Sequence, residues 1–260
     1  MQHKLAEIIV EVGKEINRKK KLLISGGQWN GDQLKTKADM LAHKLLVSKL
    51  LRLKKLPIIS EEDSESHLIL RPKCYWIIDP IDGTRSFVDG YPGWVTQVAL
   101  VEHGTILKAA IYAPDLDLLY LASKGEGSTL NGGRLMVKKS DKDQVRLIDN
   151  YPKPEGIAKI IMKMIPCKNY IESGGISLKI CRVADGMADL FVKDVKIRDW
   201  DVAAPMLVLE EAGGSISTGD GSKFLLSNGF DKSGLVASNS EEVKNMATNI
   251  MSNFIKQAGI

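Results

Sequence analysis

Trp76-Ile77-Ile78-Asp79-Pro80-Ile81-Asp82-Gly83-Thr84 is the stretch on which the reading of this chain turns. Tyr75 to Ile78 is aromatic and β-branched, the composition of a buried strand. Pro80 has no N–H to give to a sheet ladder, so the strand is expected to stop at Asp79 and leave that carboxylate at the sheet's edge. Gly83-Thr84 then opens a short helix expected to run through Phe87, and the first N–H groups of a helix carry partial positive charge towards anions. Two carboxylates beside such a helix start need a cation. Hard oxygen donors suit Mg2+, which bridges carboxylates and a substrate phosphate. The plainer alternative makes Asp82 no more than a helix cap.

Upstream of this turn, Leu5, Ile8, Ile9, Val12 and Ile16 fall on one face of a helix spanning residues 4–20. The segment from Ile24 to Lys37 holds Gly26, Gly27 and Gly31 and reads as loop. Met40, Leu41, Leu45, Val47 and Leu50 predict a second helix from Ala38 to Lys54, with Asp39 in its first turn complementing the helix dipole. Pro57 to Ser60 is a short strand that delivers Glu61-Glu62-Asp63 at its C-terminal end, where α/β folds place ligands. A solvated acidic loop is the plainer reading there, and His43 reads as structural.

Downstream, Trp94–Glu102 and Thr105–Tyr112 form a hairpin around His103-Gly104, and Leu118–Ser123 adds a strand. The charged run Lys138–Lys142 suggests a division into an α+β half, residues 1–138, and an α/β half, residues 139–260, within one compact unit. The second half is read as strand 145–149, helix 154–164, a Gly174-Gly175 turn, helix 177–185, strand 188–192, helix 202–212, strand 235–238 and helix 241–256.

A chain of 260 residues can bury a full core, and a formal charge of +4 with only short basic clusters (Arg18–Lys21; Arg52, Lys54, Lys55) gives no nucleic-acid footprint. Three cysteines without a Cys-x-x-Cys pair indicate neither a disulfide framework nor zinc. Lys4, Glu7, Glu11 and Lys14 interrupt the N-terminal apolar pattern, which argues against a signal peptide, and no run approaches a membrane span. The expected location is cytoplasmic, with no membrane partner.

Asp201 follows Trp200 and heads a helix ending at Gly213-Gly214, again with a helix cap as the plainer reading. In order, Ala38-Asp39, Glu61-Glu62, Asp79-Pro80-Ile81-Asp82-Gly83-Thr84, and Trp200-Asp201 followed by eleven residues and Gly213-Gly214 resemble the signature of the inositol monophosphatase superfamily. The resemblance runs from about Thr36 to Gly214. It implies a layered αβαβα sandwich of the inositol monophosphatase and sugar phosphatase type, and a lithium-sensitive phosphomonoesterase using two or three Mg2+ ions. By the same resemblance Glu61, Asp79 and the Ile81 carbonyl hold one metal, and Asp79, Asp82 and Asp201 hold a second. Gly83 and Thr84 contact the phosphate, and Glu61 with the pair Thr84 and Asp39 orients the attacking water. The chemistry agrees, because a phosphate monoester dianion repels its nucleophile and has a poor leaving group, so cations are needed on both sides.

Gly175-Ile176-Ser177-Leu178-Lys179-Ile180-Cys181 resembles the G-S-S-L-K-x-C run of the bacterial 3′(2′),5′-bisphosphate nucleotidase (CysQ) branch, departing from it at Ile176. This implies that Ser177 and Lys179 hold the second phosphate of adenosine 3′,5′-bisphosphate; a solvated helix charge is the plainer reading of Lys179. Arg85 departs from the Lys usual after D-G-T in the nucleotidases, while the run Phe87–Pro92 resembles the inositol monophosphatases, and Asp194 falls six residues before Trp200, where those enzymes place an acid on the inositol hydroxyls. A nucleotidase is the first expectation and an inositol-1-monophosphatase, or related sugar or histidinol phosphatase, the second. A non-catalytic phosphometabolite-binding or protein-interaction module is the remote third. The expected partner is a small phosphorylated substrate, with monomer and homodimer both open.

Overall fold

Three helical layers and two sheets alternate through the molecule. The computed structural model describes residues 1–24, 28–30, 33–226 and 229–258, and among these the backbone alone for 28–30, 33–35 and 255–258. The chain begins with helix α1 (Gln2–Leu23), the ribbon β1 (Gln28–Asn30) and β2 (Gln33–Lys35), and helix α2 (Lys37–Leu53). Then come β3 (Ile58–Ser60), β4 (Cys74–Asp82), helix α3 (Thr84–Asp89), β5 (Val95–Glu102), β6 (Thr105–Ala113), β7 (Leu118–Ser123), β8 (Gly127–Leu130) and β9 (Gly133–Arg134). The rest of the chain supplies β10 (Val145–Asn150), α4 (Gly156–Met164), β11 (Cys167–Ser173), α5 (Ile176–Ala184), β12 (Leu190–Arg198), α6 (Asp199–Glu211), β13 (Ser215–Ser217), β14 (Asp231–Ser238) and α7 (Glu241–Ala258).

Strands β3 to β9 pair in sequence order as a seven-stranded sheet, antiparallel except for the parallel β3–β4 pair. The second sheet has the order β11-β10-β12-β14-β13, with β10 parallel to both its neighbours. Side-chain alternation along a strand assigns each sheet to two cores. Tyr75 and Ile77 of β4 pack in the central core with α5, α6 and the second sheet, whereas Trp76 and Ile78 pack under α1 and α2. Likewise Leu235 and Ala237 of β14 face the central core, and Val236 faces α4 and α7. The layers are therefore α1/α2, sheet, α5/α6, sheet, α4/α7, the αβαβα sandwich. Because α6 lies between two sheets, Val202 to Leu209 are all buried, and the helix is apolar all round rather than on one stripe.

Several boundaries differ from expectation. The 24–37 segment, read as loop, carries the β1–β2 ribbon; residues 25–27 and 31–32 of it lie outside the described residues. β4 does not stop at Asp79: its register with β5 shifts between Asp79 and Asp82, around the proline that cannot donate, and pairing resumes at Asp82 with Val95. α6 starts at Asp199 rather than Val202, and β12 and β14 run longer than their apolar cores. Strand β11 was not expected, since Lys168, Asn169 and Glu172 are exposed on a sheet edge and break the apolar pattern. No helix among the described residues is long and apolar enough to cross a membrane.

Candidate active site

The irregularity at Pro80 shapes the site. Where β4 loses its ladder bond, the Ile81 N–H turns back to donate to Asp79 Oδ1 at 3.0 Å. Asp79 is 1% exposed and Asp82 7%. Glu61 leaves the end of β3 alongside them, its N–H directed at the Ile78 carbonyl at 3.4 Å. Asp201 comes from the first turn of α6, where its Oδ2 accepts from the Arg198 N–H at 2.8 Å. The cap reading of Asp201 is thus real, and occupies one of its oxygens.

Electrostatics bind these acids into one group. Burial pushes the Asp79 pKa well above the ordinary value, and the charges of Glu61, Asp82 and Asp201 push it further. Burial raises Asp201 likewise, with Glu61 and Asp82 adding to it and Arg198 opposing. Asp82 is raised by burial and held back by the Ser177 and Ile176 N–H groups and the Lys179 charge. Among the described residues, no three of these acids already stand as a closed metal cage. What they offer is a set of hard, anionic oxygens, buried at Asp79 and Asp82 and half-buried at Glu61 and Asp201, with no sulfur or imidazole donor among them. That set fits a divalent hard cation, which would stabilise the charged forms that burial disfavours.

Asp39 and Thr84 meet as a pair. Asp39 is the third residue of α2, and its Oδ2 accepts from the N–H and hydroxyl of Thr36, both at 2.7 Å, in a capping box. Its Oδ1 lies 3.2 Å from the Thr84 hydroxyl, which is also 3.2 Å from the Ile81 carbonyl. One carboxylate oxygen therefore caps the helix and the other reaches the site. Burial raises the Asp39 pKa against the pull of Thr36, and the Glu62 charge adds to the rise. Gly83 precedes Thr84 at φ +84°, a left-handed conformation that suits glycine. His43 Nδ1 is 2.8 Å from the Ser60 hydroxyl, a structural contact behind Glu61.

Ser177, Lys179 and Asp194 are all engaged inside the protein. Ser177 is 0% exposed; its N–H donates to Asp82 Oδ2 at 2.7 Å and its hydroxyl to the Asp201 carbonyl at 2.8 Å. Lys179 is 2% exposed, so it is no solvated helix charge. Its ammonium donates to Asn150 Oδ1 at 2.6 Å and lies 3.8 Å from Asp149, and burial lowers its pKa to about 8. Asp194 Oδ2 accepts from the Ile157 N–H at 2.9 Å, at the start of α4.

Two features escaped the sequence reading. The Gly174-Gly175 turn is a close-approach joint: a Cβ on Gly175 would lie 2.3 Å from Asp82 Oδ2, and one on Gly174 2.4 Å from the Gly93 carbonyl. Only hydrogen at these positions lets the start of α5 rest on Asp82. The second is Gln97 of β5, whose amide lies 2.6 Å from the Ser177 hydroxyl and 2.9 Å from the Trp200 carbonyl. Its signal was present: a polar residue inside the apolar run Val95–Val101, in a strand buried on both faces.

Residues 1–254 match the model of the inositol monophosphatase family. The chain is 31% identical over 179 residues to a putative Nus factor SuhB of Neisseria meningitidis, covering 66% of this chain and 68% of that protein. It is also 31% identical over 169 residues to a 3′(2′),5′-bisphosphate nucleotidase CysQ of Buchnera aphidicola, covering 64% and 63%. A solved IMPase of Thermotoga maritima shares the fold, with a TM-score of 0.81 at 23% identity over 95% of this chain and 96% of that one.

Proposed function

Since this chain belongs to the inositol monophosphatase family, and so to the metal-dependent phosphoric monoester hydrolases, we propose that it is an Mg2+-dependent phosphomonoesterase that hydrolyses a small phosphorylated metabolite with an activated water. The supporting observation is the crowding of acids around Asp79: Asp79 and Asp82 are buried, with Glu61 and Asp201 half-buried beside them. The charges of Glu61, Asp82 and Asp201 raise the Asp79 pKa as those of Glu61 and Asp82 raise that of Asp201, a burden that a divalent cation would relieve. Asp79, Asp82, Asp201, Glu61 and the Ile81 carbonyl are the residues that would hold it. Bound there, Mg2+ supplies charge neutralisation at the phosphate and lowers the pKa of water.

The chain's own groups do the rest. The Thr84 hydroxyl has one proton and two acceptors at 3.2 Å, Asp39 Oδ1 and the Ile81 carbonyl. With that carbonyl turned to the cation the proton would go to Asp39, which leaves the hydroxyl's lone pairs to accept from a water proton and aim that water. Asp39, anchored by Thr36, fixes the direction of that hydroxyl. Glu61, at the end of β3, would orient the same water from the other side. The N–H groups at Gly83 and Thr84, where α3 begins without a side-chain cap, would meet the phosphate oxygens.

For the substrate, the first reading is a 3′(2′),5′-bisphosphate nucleotide, supported by the Ser177-Leu178-Lys179 run and by the similarity to the CysQ relative. A second reading, inositol 1-phosphate or a related monophosphate, is favoured by the fact that Ser177 and Lys179 are buried and already bonded to protein groups. Phosphate release from adenosine 3′,5′-bisphosphate, inositol 1-phosphate, fructose 1,6-bisphosphate and histidinol phosphate, each with Mg2+, decides between them. Preference for the nucleotide supports the first reading, preference for inositol phosphate the second, and release from none would refute the phosphatase proposal for this substrate class. Lithium inhibition belongs to the same proposal and is read in the same assay.

A further inference from the structure

We infer that Gln97 is a positioning residue for the metal site, acting with Ser177 as a bracket that holds the acids of β4 and α6 in one arrangement. Gln97 is 0% exposed, and its Nε2 lies 2.6 Å from the Ser177 hydroxyl, 2.9 Å from the Trp200 carbonyl and 3.4 Å from Asp79 Oδ2. The two short contacts take the two amide protons, and Asp79 feels the same positive edge. The reverse amide orientation would set two carbonyl oxygens, of Gln97 and Trp200, against each other, so the direction is fixed.

Ser177 extends the bracket. Its hydroxyl accepts from Gln97 and passes its own proton to the Asp201 carbonyl at 2.8 Å, while its N–H holds Asp82 Oδ2 at 2.7 Å. The Asp201 carbonyl has room for that bond because Pro205, four residues further along α6, has no N–H to complete the helical ladder. A missing helix bond, a buried hydroxyl and a buried amide thus compensate one another, and the result ties Asp79, Asp82 and the Trp200-Asp201 backbone to one another. Gln97 is also a poor choice for packing alone: its Oε1 has no hydrogen-bond partner among the described residues.

This inference rests on the proposed metal site, and its test separates the two. Mg2+ is titrated into wild type, Gln97→Leu and Ser177→Ala by calorimetry, and melting temperatures are taken with and without Mg2+. Leu fills the same space without an unpaired oxygen, so a residue that only packs would leave Mg2+ binding unchanged. The bracket predicts that Mg2+ affinity falls about 10–100-fold in each single variant, and that the Mg2+-induced rise in melting temperature shrinks. It further predicts that the double variant loses little more than either single one. Wild-type affinity in both variants overturns the bracket and leaves the metal site standing. If Gln97→Leu does not fold, Ser177→Ala carries the test alone. Absence of Mg2+ binding by the wild type overturns the metal site and the bracket with it.

Discussion

Gly175→Ala is expected to damage both stability and catalysis, and the structure sets the size of the effect. Gly175 has φ −57°, so alanine meets no backbone strain there; the whole effect is steric. The new methyl would sit 2.3 Å from Asp82 Oδ2 and 2.7 Å from its Cγ, about 1 Å inside ordinary contact. Either the carboxylate or the start of α5 must give way, and both routes stretch the Ser177 N–H bond to Asp82, now 2.7 Å, and the Ile176 N–H bond, now 3.2 Å. Losing one bond to a charged acceptor costs about 1.5–3 kcal/mol, and overpacking adds about 1–3 kcal/mol. A melting temperature lowered by roughly 5–15 °C follows for a chain of this size. Phosphate release should fall with it, because Asp82 is a proposed metal ligand. Scanning calorimetry reads the first effect, with Gly104→Ala as the control: Gly104 has φ +75° and open space around it, so alanine there meets strain alone, about 1–2 kcal/mol. If Gly175→Ala melts no lower than Gly104→Ala and turns over like the wild type, the joint between α5 and Asp82 does not work as described.

Lys179 carries a pH signature. Its pKa falls from 10.5 to about 8 on folding, so the folded state binds a proton less tightly than the unfolded state between those values, and this group's contribution to stability grows as pH rises from 8 towards 10.5. The gain is about 3 kcal/mol, and urea unfolding of wild type and Lys179→Met at pH 7.5 and 10 should show it in the wild type only; parallel pH slopes would count against a buried, charged Lys179. The acids give the opposite sign: Asp79, Asp82 and Asp201 have raised pKa values when folded, so metal-free stability falls as pH rises through them. The Mg2+-induced gain in melting temperature should therefore be larger at pH 8 than at pH 5, and an equal gain at both would contradict it. Thr84→Val keeps the side chain's shape and removes the hydroxyl, so kcat should drop about 100-fold with KM nearly unchanged, whereas an unaltered kcat excludes a role for Thr84 in aiming water.

The layered fold could be read from β4, α1 and α2 because their apolar residues follow the period of the element and face a core. β11 could not, because an edge strand with Lys168, Asn169 and Glu172 exposed has no such period. Pro80 marks a break in the ladder, but the bulge it makes is not legible locally, since the resumption of pairing at Asp82 depends on Val95 across the sheet. The acids could be named from their motifs, whereas their supports come from distant segments. Gln97 meets Ser177 across 80 residues and Trp200 across 103, and no local pattern encodes such a meeting. The burial of Ser177 and Lys179 was not legible either, since a serine and a lysine at a helix start carry no apolar pattern that would turn them inward.

Asp79 accepts from the Ile81 N–H, lies at the centre of the acid cluster and is 1% exposed. Asparagine at this position keeps the side chain's shape and removes the charge that would hold the cation. The decisive measurement is phosphate release by wild type and Asp79→Asn, from adenosine 3′,5′-bisphosphate and inositol 1-phosphate, across a Mg2+ titration that starts in excess chelator. The wild type should be silent in chelator and active with Mg2+ on at least one of the two, with Asp79→Asn folded but at least about 100-fold slower at every concentration. Wild-type turnover that survives chelation, or Asp79→Asn turnover equal to the wild type's, would contradict a metal-driven hydrolysis at this site.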